Sequence, residues 1–261
     1  MLTHDRKRFP PMTMTWPSRL WIVRHGESLG NVARDAAMAA DLARIDIAHR
    51  DIDVPLSPLG MAQSQSVGRW FASLPEEERP EVILSSPYLR AVGTASAIVE
   101  EASLESSAWM IDERLREKEF GILDRLTRFG IESEHPDQAE FRQLLGKFYH
   151  RPPGGESWCD VILRLRSMLD TVSLHYSGKR VLIVGHQVVV LCLRYVIEKM
   201  DEEQILAIDR EGDVANCAVT EYRTEAGGDG ELKLERYNFV APLLKEGTEV
   251  TDEPDARVAA R

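Results

Sequence analysis

LWIVRHGESLGN, residues 20–31, runs four apolar residues straight into an arginine, a histidine and a glycine. Leu20–Val23 reads as a buried strand, apolar at every position rather than at alternate ones. Arg24 and His25 then lie just past its carboxyl end. The layout occurs twice more. EVILSSPYLRAVGTA (81–95) places Arg90 on the first turn of a helix that follows a strand, and RVLIVGHQ (180–187) places His186 at the tip of another. Strands of this kind alternating with helices predict a mainly parallel sheet with helices on both faces, a three-layer α/β sandwich. Ligands of such sheets bind beyond the carboxyl ends of the strands.

The rest of the chain supports that reading. Ser57 followed by Pro58 is a helix N-cap with proline at the first helical position, and Val67, Trp70, Phe71 and Leu74 recur at helical spacing behind it. Ser86 and Pro87 repeat the signal, followed by an apolar stripe through Ala91, Ala95 and Ile98. WMI (109–111) is a short strand. Residues 32–50 predict a partly helical segment, and 133–149 a helix with Phe141, Leu144, Leu145 and Phe148 on one face. Trp158, Val161, Ile162, Leu165, Met168, Leu169 and Val172 form the clearest amphipathic stripe. NCAVTEYR and LKLERYNFV, separated by GGDG, predict a β-hairpin. The expected organisation is a loose leader (1–18), one domain (19–243) and an acidic, apolar-poor tail (244–261) expected to be disordered.

The 261 residues are 43% hydrophobic and 29% charged, with a formal net charge of −11. That charge argues against a general nucleic-acid or membrane-surface binder, which needs a basic face. It also means that local cations must overcome a repulsive field if the ligand is an anion. Cys159, Cys192 and Cys217 are odd in number and far apart, which fits small buried hydrophobes in a reducing compartment. The longest apolar run, 181–193, is too short to span a bilayer, and the amino terminus has basic residues without an apolar run behind them. A cytoplasmic location is expected.

Two arginines and two histidines thus converge on the ends of three strands. Two guanidinium groups can fork onto one phosphoryl group, helix N-termini add backbone donors, and a histidine among them can take the phosphoryl group as phosphohistidine. At this point the chain resembles the histidine phosphatase superfamily, also called phosphoglycerate mutase-like. The matching stretches are RHGESLGN (24–31), PLSPLGMAQS (55–64), SSPYLRAVGTA (85–95), LREKEFG (115–121), PPGGES (152–157) and VLIVGHQ (181–187), in the family's order, over roughly residues 19–223.

The resemblance implies roles. His25 is the nucleophile; Arg24, Arg90 and His186 hold the phosphoryl group and stabilise its transition-state charge; Glu117 protonates the leaving oxygen and then serves the attacking water. Glu113 and Glu119 lie close enough in sequence to compete with Glu117 for that part. Asn31 and Ser28 match accessory phosphate contacts or simply cap the next segment, and the backbone N–H of Gln187 adds a further donor. PPGGES is a phosphatase-type motif or only a loop and an N-cap. No metal and no cofactor is called for, since side chains supply the cations. His4, His49, His135, His150 and His175 read as ordinary surface residues.

The residues after Gly26 disfavour the acid phosphatase branch, which usually shows RHGxRxP. GHQ (185–187) and PPGGES resemble the phosphatase side, and no kinase-like phosphate loop is present. The expected function is metal-independent phosphomonoester hydrolysis of a small phosphorylated metabolite. The alternatives are phosphoglycerate mutase-type transfer in the same pocket, or a non-catalytic phosphate-binding or scaffold protein. Segments 32–50 and 122–151 are expected to cover the pocket and hold the substrate choice. Arg125, Arg128, Arg142, Lys147, Tyr149 and Arg151 are either available to a second anionic group or a solvated face. Oligomeric state is not readable.

Overall fold

The computed structural model describes residues 15–224 and 230–252. The first half runs β1 (Arg19–Arg24), α1 (Leu29–Ala39), α2 (Pro58–Ala72), β2 (Val82–Ser85), α3 (Leu89–Ala102) and β3 (Ala108–Ile111). Then come α4 (Arg128–Glu134), α5 (Pro136–Tyr149), α6 (Trp158–His175), β4 (Arg180–Gly185) and α7 (Gln187–Ile197). The chain closes with α8 (Glu202–Glu211), β5 (Val219–Thr224), β6 (Leu232–Phe239) and α9 (Ala241–Glu246). The strands form one sheet in the order β3-β2-β4-β1-β5-β6. The first four are mutually parallel. β5 is antiparallel to β1, and β6 antiparallel to β5, so β6 again runs with the parallel set.

The pleat explains the all-apolar strands. Successive side chains point to opposite faces, and both faces are covered. Leu20, Ile22, Val181 and Ile183 enter a core with α6, α7 and α8. Trp21, Val23, Leu182 and Val184 enter a second core with α2, α3 and α9. The stripe of α6, from Trp158 to Val172, is buried in the first. Its N-cap Ser157 forms a reciprocal capping box with Asp160. At α2, Ser57 Oγ accepts from the Gly60 N–H at 2.9 Å. Among the described residues no helix is long and apolar enough to cross a membrane.

Several expectations are corrected. The helix expected over 133–149 is two, α4 and α5, broken where Pro136 follows His135, because the residue before a proline is pushed out of the helical region. Of its proposed apolar face only Phe148 is buried; Leu144 is 76% exposed. Ser86 does not cap α3, whose N-cap is Tyr88 with no side-chain bond. The leader is anchored at its end: Trp16 packs on the first core and its carbonyl accepts from Gly178 N–H at 3.0 Å. The tail expected to be disordered from 244 is held through 251. Ser66 Oγ pairs with Thr248 Oγ1 at 2.8 Å, Gln63 Nε2 donates to the Glu249 carbonyl at 3.0 Å, and Asn216 N–H donates to the Thr251 carbonyl at 2.8 Å. Two of these contacts use backbone groups, which composition does not report. Residues 1–14, 253–261 and most of GGDG lie outside the described residues.

Candidate active site

The register of β1 on β4 builds the centre. Arg24 lies opposite Gly185, so the residues that follow, His25 and His186, leave the sheet side by side. The His25 N–H donates to the Gly185 carbonyl at 2.9 Å, and the imidazole rings stand 5.1 Å apart. The chain turns sharply after His25. A Cβ on Gly26 would sit 2.4 Å from the Gly60 carbonyl oxygen, so only glycine fits there.

His25 is buried, 3% exposed. Its Nδ1 lies 2.7 Å from the Gly26 carbonyl oxygen. A carbonyl only accepts, so Nδ1 carries the hydrogen and the lone pair is on Nε2. Nε2 accepts from Arg90 Nε at 3.3 Å. Burial first, then the guanidinium groups of Arg90 and Arg24, hold the His25 pKa well below 6.5. The ring is therefore neutral at physiological pH, as a nucleophile must be.

Arg24 is 1% exposed and donates to Gln187 Oε1 at 3.0 Å and to the Val214 carbonyl. Arg90 sits on the first turn of α3, over the Tyr88 ring at 4.7 Å. His186 is fully buried at the start of α7. Its Nε2 is 2.8 Å from Ser86 Oγ, and that oxygen accepts from the Tyr88 N–H at 3.3 Å. We assign the Ser86 hydrogen to His186 Nε2, which leaves the ring hydrogen on Nδ1, 3.5 Å from Glu117 Oε2. Burial, with Arg90 next, keeps His186 neutral too.

Glu117 has its pKa raised to about 7, mainly by burial; the Lys118 N–H, Arg90 and Arg24 pull it back down and Asp51 adds to the rise. The Lys118 N–H donates to Glu117 Oε1 at 2.8 Å. PPGGES fixes this segment from below. Glu156 accepts from Arg116 Nη2 at 2.7 Å and from the Glu119 N–H at 3.1 Å, and Arg164, on α6, bonds Glu156 and the Glu117 carbonyl at 3.2 Å. So the motif is more than a cap. Glu119, the competing acid, instead accepts from Tyr88 Oη at 3.1 Å.

Arg24, His25, Arg90 and Glu117 line one cavity of about 190 Å³ together with Ser28, Asn31 and Gln187, and His186 stands behind it against His25 and Glu117. Ser28 and Asn31 form the capping box of α1, so cap and cavity wall are the same residues. The outer wall comes from 32–50 and 122–151, as expected: Arg34, Ile45, Leu123, Arg125, Ile131 and Arg142 line it. Of the six residues proposed for a second anion, Arg125 and Arg142 face the cavity. Lys147 pairs with Asp209 at 2.7 Å, Arg128 with Glu132 at 2.8 Å, and Arg151 donates to the Gly155 carbonyl at 3.1 Å. His150 is corrected from surface residue to buried cavity residue, 3% exposed, its pKa lowered by burial and by Arg142 and Lys118.

The two outer segments are tied to each other. Ile45 N–H donates to the Arg125 carbonyl at 2.9 Å, Thr127 N–H to the Ala43 carbonyl at 3.0 Å, and Arg125 Nη2 to the His49 carbonyl at 2.7 Å. Sequence reasoning missed Asp51, whose carboxylate meets Arg90, and Ser86, which bonds His186. Ser86 read as a cap; DID (51–53) carried no signal.

Comparison with known proteins identifies the family. The family model described as histidine phosphatase superfamily (branch 1) matches residues 20–238. A 2,3-bisphosphoglycerate-dependent phosphoglycerate mutase of Rhizobium etli is 28% identical, over 74% of this chain and 86% of its own. A phosphoglycerate mutase-like protein of Arabidopsis thaliana is 28% identical, over 88% and 82%. The mycobacterial glucosyl-3-phosphoglycerate phosphatase structure superposes with a TM-score of 0.65 at 24% identity, covering 85% of this chain and 99% of that one. With its paired histidines and arginines at the ends of parallel strands, this chain belongs to the histidine phosphatase superfamily.

Proposed function

We propose that the protein hydrolyses a small phosphomonoester through phosphohistidine at His25. The observation that carries this is the fixed tautomer of His25, with its Nε2 lone pair turned to Arg90 inside the cavity. Nε2 attacks phosphorus while Arg24, Arg90 and His186 hold the non-bridging oxygens and their growing charge. The P–O bond to the ester breaks, and protonated Glu117 gives its hydrogen to the departing alkoxide oxygen. Glu117, now a carboxylate, takes a proton from water as that water attacks phosphorus. The P–N bond breaks, and free imidazole and inorganic phosphate result. A pKa of about 7 suits both halves of the cycle.

A cavity of about 190 Å³ supports a small phosphorylated metabolite rather than a macromolecular substrate. It falls below the roughly 300–1,000 Å³ typical of sites for drug-sized ligands. The names of the curated relatives favour one second reading, a mutase in which the phosphoryl group returns from His25 to another oxygen of the substrate. The test is phosphate release from a panel of sugar phosphates, phosphoglycerates, nucleotides and an aryl phosphate, with EDTA present. Release by the wild type that is lost in His25→Ala supports hydrolysis. Movement of phosphate between positions without release supports the mutase. Activity that survives His25→Ala overturns both.

A further inference from the structure

We propose that Asp51 is a counter-anion built into the phosphoryl pocket: it holds Arg90 between turnovers, an arriving phosphate ester displaces it, and its return weakens the hold on inorganic phosphate. The inference rests on the reading of Arg90 as a phosphoryl ligand.

The geometry is that of an occupied site. Arg90 Nη1 donates to Asp51 Oδ1 at 2.9 Å and to the Asp51 carbonyl at 2.7 Å, and Nη2 lies 3.4 Å from Oδ2. Nε lies on His25 Nε2 at 3.3 Å. Each edge of this guanidinium already has an acceptor, although its side chain is 7% exposed and faces the cavity. Asp51 takes three of the five N–H groups and His25 one, so a phosphoryl group at His25 that engages more of Arg90 than its Nε–Nη2 edge takes donors from Asp51, and attack must also uncover the His25 lone pair.

Position in the fold suits exchange rather than permanent anchoring. Asp51 lies on a single helical turn, Asp51–Asp53, in the connection between α1 and α2, and its side chain is 42% exposed. Water can receive the displaced carboxylate at little cost. Arg90, on the first turn of α3 and over Tyr88, stays where it is. A phosphate dianion carries twice the charge of the carboxylate and also reaches Arg24 and the backbone N–H groups at the start of α7, so it wins the exchange. A singly charged small anion gains less and is kept out. The chain's net charge of −11 already repels anions at long range; Asp51 applies the same selection at contact distance.

Displacement burdens substrate and product alike, so removing the charge should strengthen both. The experiment titrates inorganic phosphate into wild type, Asp51→Asn, Asp51→Ala and Asp51→Glu by calorimetry, and measures phosphate as a competitive inhibitor of aryl phosphate hydrolysis. Asp51→Asn should bind phosphate about tenfold tighter, the scale of one charge-assisted pair. KM should fall in step, Asp51→Ala should shift the same way, and Asp51→Glu should restore weak binding. If Asp51→Asn leaves phosphate affinity unchanged, or weakens it while KM rises, Asp51 merely orients Arg90 and the proposal is overturned. Calorimetry needs no turnover. A wild type that releases no phosphate would overturn the hydrolase reading while the affinity shift at Asp51 still reads out.

Discussion

The floor of the cavity and its outer wall are built by different means. The floor is a consequence of sheet register. Arg24 opposite Gly185 makes His25 and His186 neighbours, and both are buried. The wall is made of two segments, residues 32–53 and 121–151, in which short helices alternate with irregular stretches and which hold each other by backbone hydrogen bonds such as Ile45 to Arg125. Its side chains mix apolar groups, three arginines and acids. A floor of this kind suits chemistry that tolerates little displacement. A wall of this kind can change sequence without disturbing the sheet, which is where a family varies its substrate.

If the division is sound, floor variants should lose catalysis and wall variants should shift binding. The largest effect belongs to His25→Ala: phosphate release should fall at least ~10³-fold, since the covalent path is gone. Trapping of acid-labile phosphoenzyme by rapid quench should fail with it. Glu117→Gln should lower kcat by ~10²-fold or more. With Glu117 in the proposed role of acid, kcat/KM should decline as pH rises through about 7, and the variant should lack that limb. Its stability should move the other way. The folded pKa lies above the unfolded value near 4.5, so the ionised carboxylate destabilises the fold above pH 7 and costs nothing below pH 4.5. Glu117→Gln should therefore be more stable than wild type at pH 8 by up to roughly 3 kcal/mol, and equal to it at pH 4. Thermal melts at the two pH values check this.

On the wall, a Cβ at Gly130 would lie 2.0 Å from the Ala43 carbonyl oxygen. Gly130→Ala should push the two segments apart and raise KM several-fold, while quenched-flow phosphorylation at saturating aryl phosphate stays within about twofold of wild type. A loss of kcat matching that of Glu117→Gln would break the division. The smallest effect is Arg44→Ala. Arg44 Nε donates to Glu134 Oε1 at 3.2 Å across the two segments, but its side chain is 66% exposed. Urea melts should show a change of at most about 1 kcal/mol.

The same division explains what was legible in the sequence. Apolar runs ending in RH, in SSPYLR and in GH announce strands with cations at their tips, and parallel sheets place such tips together. Glu117 was legible only through its motif, because its backbone is held by Arg164, 47 residues away, which is itself paired with Glu156. Asp51 and His150 were not legible at all. Their place in the cavity depends on how two irregular connections meet, and no periodicity encodes that. Ser86 misled, since a serine before proline caps helices far more often than it bonds a buried imidazole. The exposed Leu144 and Leu145 misled in the opposite direction: helical spacing reports a face, not whether anything covers it.

The segment after α9 matters to anyone choosing where to cut or tag the chain. The family match stops at residue 238. Thirteen residues further on, Thr251 gives Asn216 its carbonyl and donates its hydroxyl to Asn216 Oδ1 at 3.1 Å, while Asn216 Nδ2 donates to the His25 carbonyl at 3.0 Å. Two side chains thus link the carboxyl-terminal strap to the backbone of His25. A fragment trimmed to the family boundary would keep every residue of the motifs and lose Thr251, which steadies Asn216 behind His25.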